Sequence, residues 1–122
     1  MSKKTNLVLH LILVTKYRRK LIEIINTLEE ILKTICNEMS IDLLELKVLE
    51  DHTHMLIKYQ SNMSVSELVM NIKSESTIRI WRLIPLQKYY WKKKILWSDG
   101  YFASSIGEVN LSVIKNYIIN NE

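Results

Sequence analysis

The sequence is poor in residues that punctuate or cross-link a chain: one cysteine, one proline and two glycines in 122 residues. The lone Cys36 excludes an intramolecular disulfide and every four-cysteine zinc site. It falls inside an amphipathic stretch, where a thiol serves as a small core residue, and a reducing cytoplasm is the expected compartment. No linker, repeat or low-complexity tract divides the chain, so residues 1–122 read as a single domain. No apolar run approaches the roughly 20 residues that a membrane span needs. The nearest thing to a leader is basic Met1 to Asn6 followed by apolar Leu7 to Val14. His10 interrupts that run, no small-residue cleavage site follows, and Lys16-Tyr17-Arg18-Arg19-Lys20 comes next, so a first strand is expected there.

Acidic charge is missing where basic charge collects. Between Ser76 and Ser98 stand six basic residues (Arg79, Arg82, Lys88, Lys92, Lys93, Lys94) and no acidic one, with Tyr89, Tyr90 and Trp91 interleaved. Such a stretch suits a phosphate backbone with unstacked bases, or else it is a solvated lysine-rich loop. The second cluster, Lys16 to Lys20, tips the balance towards nucleic acid. The net charge of +4 alone would not.

What is present is a folding chain: 48% hydrophobic and 25% charged residues lie in the range of compact domains. Asn6 to Thr15 is aliphatic without a polar face, as in a strand covered on both sides. Leu21 to Met39 carries a 3.6-residue apolar stripe and predicts a helix. Ile41 to Leu49 and Thr53 to Tyr59 predict an antiparallel hairpin around Glu50-Asp51. Ser64 and Glu67 form a capping-box start for a helix that runs to about Leu83, on Leu68, Val69, Ile72, Ile78 and Trp81, before Pro85 ends it. Leu86 to Trp97 reads as loop and short strand, Ser98-Asp99-Gly100 as a turn, and Glu108 to Asn121 as a helix buried along Leu111, Ile114 and Ile118. Tyr101 and Phe102 are expected in the core. The order β-α-β-β-α-β-α favours an α+β fold with a ferredoxin-like antiparallel sheet, helices packed on one face and a C-terminal helix.

Two of the three histidines stand in His52-Thr53-His54. On a strand, residues two apart share a face at about 6–7 Å, so both imidazoles can close on one metal ion. The alternative is a pair of hairpin residues, one buried and one exposed. Two histidines need further oxygen or nitrogen ligands, which leaves positions for water or a substrate phosphate. Asp51 either orients one of them by a hydrogen bond or is a turn residue, and His10 reads as a buried, hydrogen-bonded core histidine. On the last helix Tyr117 and Asn121 lie one turn apart on one face. A tyrosine there is either packing with a wet hydroxyl or, beside a bound cation, a nucleophile, and Asn121 offers a carbonyl to the same ion.

Five segments in order carry a resemblance: Thr15-Lys16-Tyr17-Arg18-Arg19, His52-x-His54 before an aliphatic strand, Lys73-Ser74-Glu75-Ser76, Leu96-Trp97-Ser98-Asp99-Gly100-Tyr101-Phe102, and Val113 to Ile118 around Tyr117. Nearly end to end, the chain resembles the single-tyrosine HUH transposases of minimal insertion sequences. The resemblance implies transposition of single-stranded DNA marked by subterminal hairpins, through a 5′-phosphotyrosine and a free 3′-OH. It implies Tyr117 as nucleophile, Mg²⁺ or Mn²⁺ held by His52, His54 and Asn121, and a homodimer. DNA contacts fall to Lys16, Tyr17, Arg18, Arg19, Lys73, Lys92 and Lys93. Two residues depart from the family pattern. Thr53 stands where a bulky hydrophobic residue is usual, and Asn121 where a glutamine is frequent, shortening its reach by about 1 Å. The rival expectations are a decayed or domesticated relative that grips hairpin DNA or RNA without cutting, and a water-using metal hydrolase, for which no carboxylate base is obvious.

Overall fold

The computed structural model describes residues 6–60, 62–107 and 111–120. Four strands form one antiparallel sheet: β1 (Asn6–Val14), β2 (Asp42–Val48), β3 (His52–Gln60) and β4 (Phe102–Ser105), in the order β2-β3-β1-β4. That is the ferredoxin-like order expected from the sequence. The two aliphatic strands occupy its centre, β1 against β3, with Ile12 opposite His54 and Leu9 opposite Ile57. The β2–β3 hairpin closes as expected around Glu50-Asp51, where the Leu49 amide donates to the His52 carbonyl at 2.8 Å.

Period-two alternation gives the sheet two different faces. Leu9, Leu11 and Leu13 of β1 join Met55, Ile57 and Tyr59 of β3 on the face that meets the helical layer. That layer is α1 (Ile25–Glu38), entered through a 3₁₀ turn at Ile22–Ile24, and α2 (Val65–Leu83). Buried Leu28, Ile31, Leu32, Ile35 and Cys36 form the stripe of α1. Burial pushes the Cys36 thiol up to about 11, so it stays a protonated core group. The Ser64 hydroxyl accepts the Glu67 amide at 3.1 Å and starts α2, and extended Ile84 before Pro85 ends it.

Three expectations need correcting. The apolar run before Ser98 is no regular strand. It holds a one-turn helix, α3 (Gln87–Tyr90), and then a single bridge between Trp97 and Thr15. The fourth strand follows the turn instead, once Gly100 at φ +98° has reversed the chain. Phe102 is 60% exposed and Tyr101 is also exposed, because β4 is an edge and Phe102, opposite Ile12, faces away from the helical layer. In α2, Ile78 is exposed and Ser76 is buried in its place. At 100° per residue Ile78 falls outside the arc of Leu68, Ile72 and Ile80, whereas Ser76 falls within it. The Ser76 hydroxyl donates to the Ile72 carbonyl at 2.6 Å and accepts the Trp97 indole N–H at 2.9 Å, which pins the segment after α3 to the helical layer.

The last helix, α4 (Leu111–Asn120), crosses the other face of the sheet. Ile118 is buried there, and Lys47 of β2 donates to the Ile119 carbonyl at 3.3 Å, a cation at a helix C-terminus. The expected helix residues Glu108 to Asn110 and Asn121 lie outside the described residues.

Two buried hydroxyls yield stability predictions of opposite sign. Ser76→Ala leaves the Trp97 N–H buried without an acceptor and is expected to cost about 1–3 kcal/mol in urea unfolding. The Thr53 hydroxyl is buried with no hydrogen-bond partner among the described residues. Thr53→Val keeps the shape and removes that desolvation, so it is expected to stabilise by about 1 kcal/mol. An unchanged urea midpoint in either variant contradicts the corresponding assignment.

Candidate active site

The alternation that buries Thr53 and Met55 under the helices sends His52 and His54 to the face crossed by α4. Their ring centroids lie 5.1 Å apart with planes at 74°. Each ring has its Nδ1 engaged by a neighbour. His52 Nδ1 meets Asp51 Oδ1 at 2.7 Å, and Asp51 also receives Arg18 Nη2 at 3.3 Å. The His52 hydrogen bond first, and Arg18 after it, hold the Asp51 carboxyl below its usual range. Asp51 is a turn residue as well, since its carbonyl accepts the Thr15 amide at 3.0 Å. His54 Nδ1 meets His10 Nε2 at 3.0 Å. His10 is buried and hydrogen-bonded as expected, but its partner is one of the paired histidines. Burial, and then His54, lower its pKa, which favours neutral imidazole.

With both Nδ1 atoms committed, a metal held by this pair would be bound through Nε2 of each ring. That is the arrangement in which a ligating histidine gives its other nitrogen to a hydrogen-bond partner. The donor set therefore suits a divalent cation whose other ligands are oxygen. Among the described residues no group of three or more His, Cys, Asp or Glu is arranged to hold a metal ion. Asn121, expected as a further ligand, lies outside the described residues.

Tyr117 of α4 comes to the same place. Its ring centroid is 6.5 Å from that of His54, edge-on at 82°, and the residue is 46% exposed. Ile118 and the Lys47–Ile119 hydrogen bond fix the helix beside it. The tyrosine thus stands next to the histidines of its own chain.

The two basic segments, some 70 positions apart in sequence, also meet. The Tyr90 hydroxyl donates to the Lys16 carbonyl at 3.0 Å, and the Tyr17 ring tilts against Tyr90 with centroids 6.5 Å apart. Left-handed backbone at Tyr17 (φ 59°) and Arg18 (φ 50°) turns the Tyr17 ring outwards, with Lys16 and Arg19 cations 5.6 and 6.0 Å from its centroid. Lys88 is ion-paired with Glu23 at 2.6 Å, but Lys92, Lys93 and Lys94 meet no carboxylate among the described residues. Beside them Trp91 is 74% exposed in a positive-φ conformation (58°) that few bulky residues adopt.

Lys73 is placed differently from the other expected DNA contacts. Its ammonium donates to the Ser98 and Gly100 carbonyls at 2.7 and 3.0 Å, and burial lowers its pKa. It braces the turn before β4. Of the aromatics that the sequence interleaves with the basic run, Trp91 is the exposed one and Tyr90 is buried, whereas the bond between His10 and His54 has no local signal in the sequence. Alternation places His10 on one of two faces, but only the β1–β3 register says that His54 shares it.

Comparisons with known proteins bear on the family and the fold. The family model described as "Transposase IS200 like" matches residues 3–121. The transposase for insertion sequence element IS200 of Salmonella typhimurium is 28% identical over 111 residues, which cover 89% of this chain and 72% of that protein. A putative transposase of Deinococcus radiodurans superimposes with a TM-score of 0.76 at 27% identity, covering 100% of this chain and 94% of the other. A REP-associated tyrosine transposase bound to a REP hairpin superimposes with a TM-score of 0.71 over 99% of this chain and 70% of that one. At 13% identity the second likeness speaks for the fold alone. Because the family match takes in β1, the histidine strand and the tyrosine helix together, the chain belongs to the IS200-like transposase family.

Proposed function

We propose that this transposase cleaves and rejoins single-stranded DNA at hairpin-marked element ends, with Tyr117 as nucleophile. The observation that carries the reading is Tyr117 beside His54, on the one face of the sheet that also presents His52. In cleavage the Tyr117 hydroxyl oxygen attacks the scissile phosphorus. The bond from phosphorus to the 3′ oxygen breaks, that oxygen takes up a proton, and the phenol loses one. A 5′-phosphotyrosine and a free 3′-OH remain. One phosphodiester replaces another, so rejoining by a 3′-OH runs the same exchange backwards without an external energy source.

Asp51 and His10 orient the two imidazoles, and the Asp51 carboxylate is already engaged by His52 and Arg18 when a phosphate enters the site. A bound Mg²⁺ or Mn²⁺ would polarise the scissile phosphate and offset the charge developing on it. Lys16, Arg18 and Arg19 supply phosphate contacts for the hairpin, and Tyr17 stacks on a base. Lys92, Lys93 and Trp91 take the flanking single strand. The working form is read as a homodimer, as the family resemblance implies, in the reducing cytoplasm that a lone buried thiol suits.

Tyr117→Phe is expected to bind a hairpin oligonucleotide within about twofold of wild type while forming no adduct that survives SDS. Wild-type adduct formation is expected to require Mg²⁺ or Mn²⁺ and to stop in EDTA. An adduct in the Phe variant moves the nucleophile elsewhere, full activity in EDTA removes the metal role, and binding without any wild-type adduct favours the non-cutting relative. Trp91→Ala is expected to weaken binding of a hairpin with a single-stranded flank by about 1–3 kcal/mol, the worth of one stacked base. A blunt hairpin should bind unchanged in the same fluorescence-anisotropy titration. Equal loss on both substrates contradicts a stacking role for Trp91.

A further inference from the structure

We propose that His10 is a positioning residue, whose Nε2 accepts the Nδ1–H of His54 and so fixes His54 in the tautomer that directs an Nε2 lone pair into the site. The inference rests on the metal-site reading above and adds a residue to it.

A neutral imidazole offers one N–H donor and one acceptor nitrogen. Between His10 Nε2 and His54 Nδ1, 3.0 Å apart, one ring must therefore donate and the other accept. The ring planes are only 19° apart with centroids separated by 5.3 Å. Face-to-face stacking would bring the centroids much closer. The rings instead meet edge to edge in nearly one plane, as an in-plane N–H···N bond requires. Both residues are buried, at 7% and 3% exposure, so the pair is sealed largely from solvent. The backbone enforces the meeting, since Ile12 lies opposite His54 and His10 is two residues further along the same face of β1.

Two proton arrangements satisfy the bond, and they differ at the far side of His54. If His10 donates, the His54 proton sits on Nε2, which can then neither ligate nor accept. If His54 donates, its Nε2 carries the lone pair. Only the second serves the site. It requires His10 to carry its own proton on Nδ1.

His52 shows the same logic with a simpler partner. The Asp51 carboxylate can only accept, so it fixes the proton on His52 Nδ1. His10 does for His54 what Asp51 does for His52. A carboxylate at position 10 would place an anion in a buried strand, next to apolar neighbours and without the Arg18 contact that Asp51 enjoys. A neutral imidazole accepts without that penalty.

The chain has three histidines, so long-range ¹H–¹⁵N imidazole spectra of the metal-free protein contain three ring patterns. In wild type at neutral pH, His54 is expected to show a protonated Nδ1 and an unprotonated Nε2. His10→Leu should release it to the Nε2–H form or a mixture. His10→Gln, whose amide oxygen can accept, should restore Nδ1–H. Calorimetric titration with Mn²⁺ alone should show the Leu variant binding about 10–100-fold more weakly and the Gln variant close to wild type. Circular dichroism checks that each variant is folded. His54 in the Nε2–H form in wild type overturns the proposal, and that spectrum decides even where the Leu variant does not fold. A Leu variant with unchanged tautomer and Mn²⁺ affinity overturns it equally. Wild type that shows Nδ1–H but binds no Mn²⁺ supports the tautomer assignment and refutes the metal reading alone.

Discussion

The pairing of β1 with β3 is the constraint from which the rest follows. One register puts Leu9, Leu11 and Leu13 beside Met55, Ile57 and Tyr59 for the helical layer. The same register puts His10 beside His54, with His52 further along that face. A slip of one residue in either strand would turn its apolar set towards α4 and its histidines into the core. Burial of the aliphatic face therefore selects the register, and the register assembles the histidines. Hydrophobic energy is in this sense what holds the polar site in shape.

A second set of tethers relates the basic face to that site. The chain from Trp91 to Gly100 has little regular structure, so it depends on side chains from elsewhere. Ser76 receives the Trp97 indole, Lys73 gathers the Ser98 and Gly100 carbonyls, and Tyr90 reaches the Lys16 carbonyl. Lys73 and Ser76 are one helical turn apart on α2, and both brace the same following segment. Their job is to fix where Lys92 to Lys94 stand relative to Lys16 to Arg19. Arg18 then links this surface to Asp51, and Asp51 to His52.

How much of this was legible depends on whether the signal is local. The start of α2 could be read from Ser64 and Glu67, because a capping box involves only neighbours on the chain. The hairpin and the first three strands followed from apolar patterning and a tight turn, and the ferredoxin-like class from the order of the elements. Composition points to a fourth strand before the turn because Ile95-Leu96-Trp97 is more strand-like than Phe102-Ala103-Ser104-Ser105. An edge strand that pairs on one side needs less apolar character than its neighbour suggests. Ser76 carries no such local signal, because a polar residue in a buried arc is justified only by a partner far along the chain. The His10–His54 bond was hidden for the same reason: 44 residues separate its ends, and only tertiary register joins them.

Charge explains why such a site would use imidazoles and keep its carboxylate one step back. The substrate is a phosphodiester, so an uncompensated carboxylate facing it would raise the free energy of the bound state. Asp51 is close enough to orient His52, yet its charge is drawn off by that hydrogen bond and by Arg18. His10 orients His54 with no charge at all. The two braces thus differ in chemistry but agree in effect, each holding a ring without setting an unpaired anion beside the phosphate. Tyr117, carried on α4, meets these histidines on the side held rigid by the sheet. Rigidity comes from β1 and β3, and charge from the turn at Lys16 to Arg19. Neither would reach the histidines without the single register that brings both to one face.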